Sequence, residues 1–542
     1  MIEKGNMTDA EFIAALIAEN KKLKAEQAKL EKAIDILETK KEKLSLENEC
    51  LKRDCHIYLE ALILSKHKIF GKTSEHTEDE GQQTFFNEAE VEYTEKTEEP
   101  VSKMVKGYTR KSPKTKRDEL IRNIETEVIT CTIPDEEQIC PRCGSEMKVI
   151  GRKYVREVVE LIPAKLIVKK YYSNTYSCKK CEKKNMPVFL HGFVPAPVLP
   201  HSLASASTVS WVIYQKYVNA VPLYRQEKDL ERLGYTLSRT TMANWIIRCS
   251  EDYFGRLIAR LKSEMLKEKV LHCDETYVKV LREKDVADNS KQYMWVYRTG
   301  KYSERQIVIY DYNKSRSGDV AKKFLGDFSG YLHTDGYAGY NKLTKVKHCN
   351  YWAHLRRKFH EAIVVDSEDS IAKTGREFCD KLFSIEAELN SLTSEERYNK
   401  RLTQEKEVFE AFWSWAEKIY PTVLSKTQLG KAFDYTFKRR EYLGNYFENG
   451  NCAISNNIAE NAIRPFTVGR KNWLFSDTPK GAKASADVYS IVETAKANGL
   501  DVFKYFELLL TVLPSMAFLT NPDILEELLP WNRSVQKICK AL

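Results

Sequence analysis

Between residues 8 and 66 the chain has neither proline nor glycine, and leucine returns at every seventh position, at Leu16, Leu23, Leu30, Leu37, Leu44 and Leu51. A repeat of seven places these side chains on one stripe of an α-helix, so the segment is committed to one long helix with an apolar seam. If the leucines are d positions, the a positions are Ile13, Asn20, Gln27, Ile34, Lys41 and Asn48. Leucine at d with polar residues mixed into a is the pattern of a coiled coil, in which buried polar groups set register and partner number at some cost in stability. An amphipathic helix lying on its own protein would show the same period. Self-association into a homo-oligomer through this helix is the favoured reading.

At 542 residues, 42% hydrophobic and 30% charged, the rest of the chain has room for two to four domains. The longest apolar run, 508–519, is interrupted by Pro514 and falls short of the roughly 20 residues of a membrane helix. Residues 1–11 carry acidic groups and no apolar core, unlike a secretory signal. The expectation is a cytoplasmic protein with no membrane partner. The net charge of +9 is unevenly spread. Residues 75–99 hold ten acidic residues and one basic, and 103–117 hold seven basic residues and no acid: Lys103, Lys106, Arg110, Lys111, Lys114, Lys116 and Arg117. The first block reads as a solvated linker, the second as that or as a flexible arm on DNA phosphate.

Of the 13 cysteines, four form two tight pairs, Cys140-Pro141-Arg142-Cys143 and Cys178-Lys179-Lys180-Cys181. Two such knuckles supply four thiolates to one tetrahedral Zn2+, a closed and therefore structural site. Between the pairs, 154–161 and 165–172 alternate apolar and polar around Pro163-Ala164, which predicts a hairpin. Lys169, Lys170, Lys179 and Lys180 would suit DNA contact. A proline-rich strap, 194–200, closes this module.

Residues 201–264 read as helical. Gly234 suits a helix C-cap and Ser238 an N-cap, so Leu233-Gly234-Tyr235-Thr236-Leu237-Ser238 joins two helices. A DNA-binding helix-turn-helix presenting Arg239 is one reading, and any packed helix pair is the other. Strands follow at 270–280, 292–298 and 306–312, then a helix at 318–325 and a strand at 330–334. Three strands, a helix and a fourth strand open a ribonuclease H-like fold.

Asp274 lies inside the first of these strands and Asp335 just beyond the fourth. A carboxylate within a strand is costly unless it is exposed, paired or metal-bound. In a ribonuclease H-like sheet these two positions are neighbours. Glu460 is the candidate third acid. Helical spacing sets it on nearly one face with Asn456, Asn457 and Arg464. Such acids suit Mg2+, a hard cation that prefers oxygen. Two ions roughly 3.5–4 Å apart can assist both the attacking and the leaving oxygen of a phosphoryl transfer. Two nearby segments mix cations with aromatic residues as a DNA-facing surface would: Trp352-Ala353-His354-Leu355-Arg356-Arg357-Lys358 and Gly469-Arg470-Lys471-Asn472-Trp473. His354 could orient the scissile phosphate or simply pack.

With these motifs in order, the chain resembles transposases of the insertion sequence 66 family, a branch of the DDE transposases. The likeness runs through the leucine helix, Phe70-Gly71 with Ser74-Glu75, the cysteine pairs, Tyr224-Arg225-Gln226-Glu227, Asp274-Glu275-Thr276, Asp335-Gly336-Tyr337-Ala338-Gly339-Tyr340, Ala353-His354, Asn456-Asn457 with Glu460, and Leu529-Pro530-Trp531. The resemblance implies that Asp274, Asp335 and Glu460 form the DDE triad. It implies two Mg2+ ions, with Mn2+ able to substitute, and a helical insertion before the Glu460 helix. It also implies binding to terminal inverted repeats and target DNA, accessory proteins encoded by the same element, and a bacterial, nucleoid-associated location. This chain departs from the usual family pattern at Ser455, where Asp is usual, and at Tyr351, where Cys is usual.

The expected architecture is α+β and multidomain. A coiled-coil helix (8–66) leads through a charged linker with a basic arm (67–118) to the zinc module (119–200) and a helical DNA-binding segment (201–264). A ribonuclease H-like catalytic core follows (265–480), with a helical insertion at about 360–450, and then a helical C-terminus (481–542). The expected function is Mg-dependent DNA strand cleavage and transfer. The alternatives are a catalytically silent zinc-containing DNA-binding relative and a ribonuclease H-like nuclease without strand transfer.

Overall fold

The computed structural model describes residues 9–70, 128, 130, 165–177, 189–191, 193–284, 291–363 and 370–541. The four paired cysteines, the basic arm and the first strand of the expected 154–172 hairpin lie outside the described residues.

Helix α1 (Asp9–Phe70) runs unbroken for 62 residues, as a segment without proline or glycine allows. At 1.5 Å per residue it is about 93 Å long. All six heptad leucines stay exposed, from 43% at Leu16 to 64% at Leu30 and Leu37. Among the described residues, the chain does not cover its own seam, so the reading of a helix laid on its own protein does not hold there.

The expected strand at 165–172 is absent: 165–174 have no regular structure, and among the described residues of this module antiparallel pairing joins only β1 (Thr175–Ser177) and β2 (Phe189–His191). Alternation specifies a strand only when a surface buries one of its faces. Here Ile167, Val168, Tyr171 and Tyr172 are all exposed. The strap beyond is better anchored, with Val198 and Leu199 buried and the Val198 carbonyl accepting from Tyr253 Oη at 2.7 Å.

Helices α2 (Ala206–Tyr217), α3 (Leu223–Arg232), α4 (Arg239–Cys249) and α5 (Gly255–Met265) occupy the helical segment. The α3–α4 turn forms as its residues dictate. Gly234 takes φ +84°, and Tyr235 N–H and Gly234 N–H return to the Leu230 and Glu231 carbonyls at 2.9 and 3.0 Å. Ser238 Oγ then caps α4 by accepting from Thr241 N–H at 3.1 Å.

A five-stranded sheet follows, in the order β5-β4-β3-β6-β7, built from β3 (Val270–Val278), β4 (Gln292–Thr299), β5 (Val308–Asn313), β6 (Tyr331–Thr334) and β7 (Lys347–Asn350). The first three strands are antiparallel, and helix α6 (Gly318–Leu325) carries the chain to β6, parallel to β3, with β7 parallel to β6. The sequence pattern foretold all but β7, whose four residues are too few to show a period. Edge strand β5 is closed by a helix, α14 (Pro479–Ala497). Ser490 Oγ accepts from Tyr310 N–H at 2.8 Å and Thr494 Oγ1 from Val308 N–H at 3.0 Å, so no row of free donors is left there.

Two cores flank the sheet. One gathers α2 to α6, the C-terminal helices α15 (Val502–Val512) and α16 (Arg533–Cys539), and the β3 side chains Leu271 and Cys273. The other belongs to the helical insertion: α7 (Trp352–Glu361), α8 (Ile371–Leu389), α9 (Ser394–Lys400), α10 (Lys406–Ile419), α11 (Gln428–Lys438) and α12 (Arg440–Gly444). It packs Trp352, Phe359, Phe412, Trp413 and Phe433 together with Val270 of β3. Alternate β3 side chains therefore face opposite cores. None of the described helices is long and apolar enough to cross a membrane.

Candidate active site

Parallel pairing of β3 with β6 sets Val270 opposite Tyr331, Leu271 opposite Leu332 and His272 opposite His333. Two residues further along each strand stand Asp274 and Asp335, so the same register brings them side by side at the end of the sheet. Beneath them the His272 and His333 rings stack at 4.6 Å, and Tyr351 continues the stack, its hydroxyl bonded to His272 Nδ1 at 2.8 Å. Tyr351 thus serves as a buried packing and hydrogen-bonding partner at the position where the resemblance leads one to expect cysteine.

Glu460 arrives on α13 (Asn457–Trp473), which packs against β3 and β4. Arg298 of β4 donates to the Ile458 carbonyl at 3.1 Å, and Tyr310 Oη donates to the Ala462 carbonyl. At the far end Arg470 donates to Thr276 Oγ1 at 3.4 Å and to the Tyr277 carbonyl, and Ser476 bridges to Val280. The helix is held along its whole length. Ser455 Oγ accepts from Asn457 N–H at 3.2 Å, so the serine at this position still satisfies a donor at the helix start.

The three acids share one electrostatic neighbourhood. Burial pushes the Asp274 carboxyl up to about 7, and the charges of Glu275, Asp335 and Glu460 add to the rise, against a single backbone N–H from Glu275 at 2.8 Å. Asp335 accepts from Tyr337 N–H at 2.9 Å, and Asn456 Nδ2 donates to Glu460. His354 stands within the field of Glu460 and Asp335. Burial and the Arg357 charge hold its pKa below the usual value, while Glu460 and Asp335 pull the other way. Among the described residues the three acids do not close to a set with all ligand atoms within 4.8 Å of one another. The arrangement is an open cluster of mutually repelling carboxylates, a donor set that fits a hard divalent cation.

A pH dependence follows. In the unfolded chain Asp274 has an ordinary carboxyl pKa of 3.8, and in the folded chain about 7. The folded state therefore holds the extra proton between these values, and stability falls as pH rises from about 4 to 7, then levels off. Without added divalent cation, Asp274→Asn should raise the melting temperature at pH 8 and leave it nearly unchanged at pH 4. Thermal scans at the two pH values check this, and an equal shift at both would contradict the assigned cause.

The chain matches the family described as "Transposase IS66 family" over residues 201–484, just over half of its length. The chain belongs to the IS66 transposase family. Residues 137–182 match the zinc-finger binding domain of transposase IS66, a range that contains Cys140, Cys143, Cys178 and Cys181, and residues 490–531 match the IS66 C-terminal element. Three similar proteins come from Sinorhizobium fredii (strain NBRC 101917 / NGR234). Uncharacterized protein y4qI is 28% identical over 63% of this chain and 65% of its own length, so the chain spans just under two thirds of it. Uncharacterized proteins y4jD and y4hP are 25% and 26% identical, over 76% and 79% of this chain and 81% and 78% of their own lengths.

Within this IS66 chain the other candidate residues divide into groups. Asn456 is buried and reaches both Glu460 and, at 3.4 Å, His354 Nε2. Arg357 is half exposed and 3.6 Å from Glu460. Lys358 lies 4.9 Å over the Tyr435 ring. Asn457 and Lys471 are exposed, and Arg464 is partly buried on α13. Arg356 is bound instead to Asp380 of the insertion. Arg239 is exposed at the start of α4, in the helix pair, where its backbone N–H donates to Glu227 at 3.0 Å.

Sequence reasoning missed Arg316. It lies in the loop before α6 and binds Glu275 through Nε and Nη2 at 2.7 and 2.6 Å, while Nη2 stands 4.0 Å from Asp335. Glu275, on the opposite face of β3 from Asp274, also accepts from Tyr340 Oη. Arg439 of the insertion donates to the Gly336 carbonyl, pinning the turn after Asp335. The sequence signals were the acid doublet Asp274-Glu275 and a lone arginine at a helix start, and neither names its partner.

Proposed function

We propose that this chain is a DNA transposase that binds the terminal inverted repeats of its element and catalyses Mg-dependent strand cleavage and strand transfer by a DDE mechanism. The observation that carries this reading is the convergence of Asp274, Asp335 and Glu460 from β3, the end of β6 and α13. The strand order β5-β4-β3-β6-β7, with β6 and β7 parallel to β3, supports a ribonuclease H-like core.

Asp274, Asp335 and Glu460 would hold two Mg2+ ions, with Mn2+ a substitute. Bound there, the ions supply charge neutralisation and activation of the attacking hydroxyl. The rest is the work of the chain's own groups. Asn456 and Arg357 hold the Glu460 carboxylate, and Arg439 and the Tyr337 N–H hold the turn carrying Asp335. Neutral His354 has a ring able to donate to a phosphate oxygen without adding charge. Arg357, Lys358, Arg464, Arg470 and Lys471 border the acids on α7 and α13 and supply cations to the DNA backbone. Arg239 on α4 extends that surface. Lys103, Lys106, Arg110, Lys111, Lys114, Lys116 and Arg117 supply further cations to DNA phosphate, and Cys140, Cys143, Cys178 and Cys181 hold one structural Zn2+. The protein works in the bacterial cytoplasm on nucleoid DNA, with accessory proteins of its own element.

Incubation with labelled element-end DNA and Mg2+ tests the reading. Nicking at the repeat boundary, and joining of a pre-cut 3′-hydroxyl end to target DNA, is the expected result. Nicking without joining would leave a nuclease, and repeat binding without either a silent binder.

The exposed leucine seam carries the homo-oligomer part of the proposal. Leu23→Lys with Leu37→Lys places two charges at d positions and should weaken association by at least about 100-fold. Sedimentation of the parent and the double variant measures it. An unchanged mass would remove α1 as the interface.

A further inference from the structure

We propose that His333, Cys349 and Cys452 form a metal site for a soft d10 cation, Zn2+ or Cu+, separate from the carboxylate cluster and from the paired cysteines. The site goes beyond the strand-transfer reading and stands whether or not that reading holds.

Three elements build it. His333 of β6 and Cys349 of β7 are register partners in the parallel pair, so their side chains leave the same face of the sheet. Cys452 comes from the strap between the helical insertion and α13. That strap is fixed by carbonyl contacts: Arg401 Nη2 donates to the Cys452 carbonyl at 2.7 Å, and the Ile454 carbonyl accepts from Trp352 N–H at 3.0 Å. Imidazole nitrogen and both sulfurs lie within 4.8 Å of one another, and this is the one such group among the described residues. All three side chains have zero exposure.

The second observation is the imidazole itself. Neither ring nitrogen of His333 has a hydrogen-bond partner of good geometry, although the ring is wholly buried, and the Cys452 thiol is the polar group set against it. Buried polar atoms are nearly always paired, and a neutral imidazole carries both a donor and an acceptor. The stacked His272 and Tyr351 rings bond to each other and leave His333 unserved. A cation between His333 and the two sulfurs would use one of those nitrogens. Two sulfurs and one nitrogen, in the apolar surroundings of the insertion core, select zinc or cuprous copper and reject magnesium. The two cysteines enter as thiolates, so loading releases up to two protons to solvent. In position, the ion would tie the strand that leads to Asp335 to the strap that leads to Glu460.

The test counts metal on the full chain. After expression with zinc, elemental analysis should find about one equivalent more than the paired cysteines account for. Cys452→Ala and His333→Gln should each lose that equivalent, and the Cys140→Ser, Cys143→Ser, Cys178→Ser, Cys181→Ser variant should keep it. Metal-depleted chain titrated separately with Zn2+ and, anaerobically, with Cu+ identifies the ion, with binding at least about 100-fold weaker in Cys452→Ala. Should a variant fold poorly, cobalt provides a second readout on the chain lacking only the paired cysteines. It should show thiolate-to-cobalt charge transfer, and its absence overturns the site. So does a combined zinc and copper count unchanged by Cys452→Ala, or a Cys349–Cys452 disulfide in the protein as isolated.

Discussion

Alanine at Asp335 should abolish strand cleavage, with a rate loss of at least about 1,000-fold, or about 4 kcal/mol in the barrier. The size follows from its position. Asp335 is 34% exposed at the end of β6 and Glu460 38% exposed on α13, while Asp274 is sunk behind them. Removing either acid takes away a ligand that no neighbour can replace, since Glu275 points to the other face and is bound by Arg316 and Tyr340. Asp274→Ala and Glu460→Ala should match this loss. DNA binding without Mg2+ should hold or tighten in all three, because each variant removes a negative charge facing phosphate. Cleavage and binding assays on the same preparations separate the two effects. Parent-level cleavage by any one of the three would sink its assignment.

The second large effect lies away from the acids. Arg401 has no exposed surface, pairs with Glu386, and donates to the Tyr446, Asn449 and Cys452 carbonyls at 3.2, 3.1 and 2.7 Å. Beside it Glu405 accepts from Tyr446 Oη at 2.8 Å, and burial lifts its pKa to about 8. Arg401→Met removes the guanidinium partner of Glu386 and frees three carbonyls, so it should destabilise the insertion by roughly 3–5 kcal/mol. Pairing it with Glu386→Leu should recover much of that, because two matched apolar groups avoid the orphaned carboxyl. Urea unfolding of the single and double variants measures both. Cleavage should fall with the single change as well, since the strap held by Arg401 leads into the Glu460 helix.

What the residues alone declared was periodic or contiguous. The leucine seam of α1, the Gly234 and Ser238 caps and strands β3 to β6 all follow from short-range sterics and hydrophobic period, which a linear pattern records. The acids were legible for a related reason: a carboxylate in or beside an apolar strand is conspicuous because burying it is costly. Period alone misled at 165–172, where alternation found no surface to bury it.

Tertiary structure decided the rest. Short β7 exists because β6 offers it a partner, and Arg316 matters because the α6 loop returns to Glu275. His333, Cys349 and Cys452 are unremarkable in the chain and meet only when sheet register and the Arg401-bound strap bring them together. Contacts between residues distant in sequence leave no local period, so folding alone makes them visible. The same holds for the raised pKa of Asp274, which arises from burial, from its neighbour Glu275 and from charges carried by two other segments, at Asp335 and Glu460.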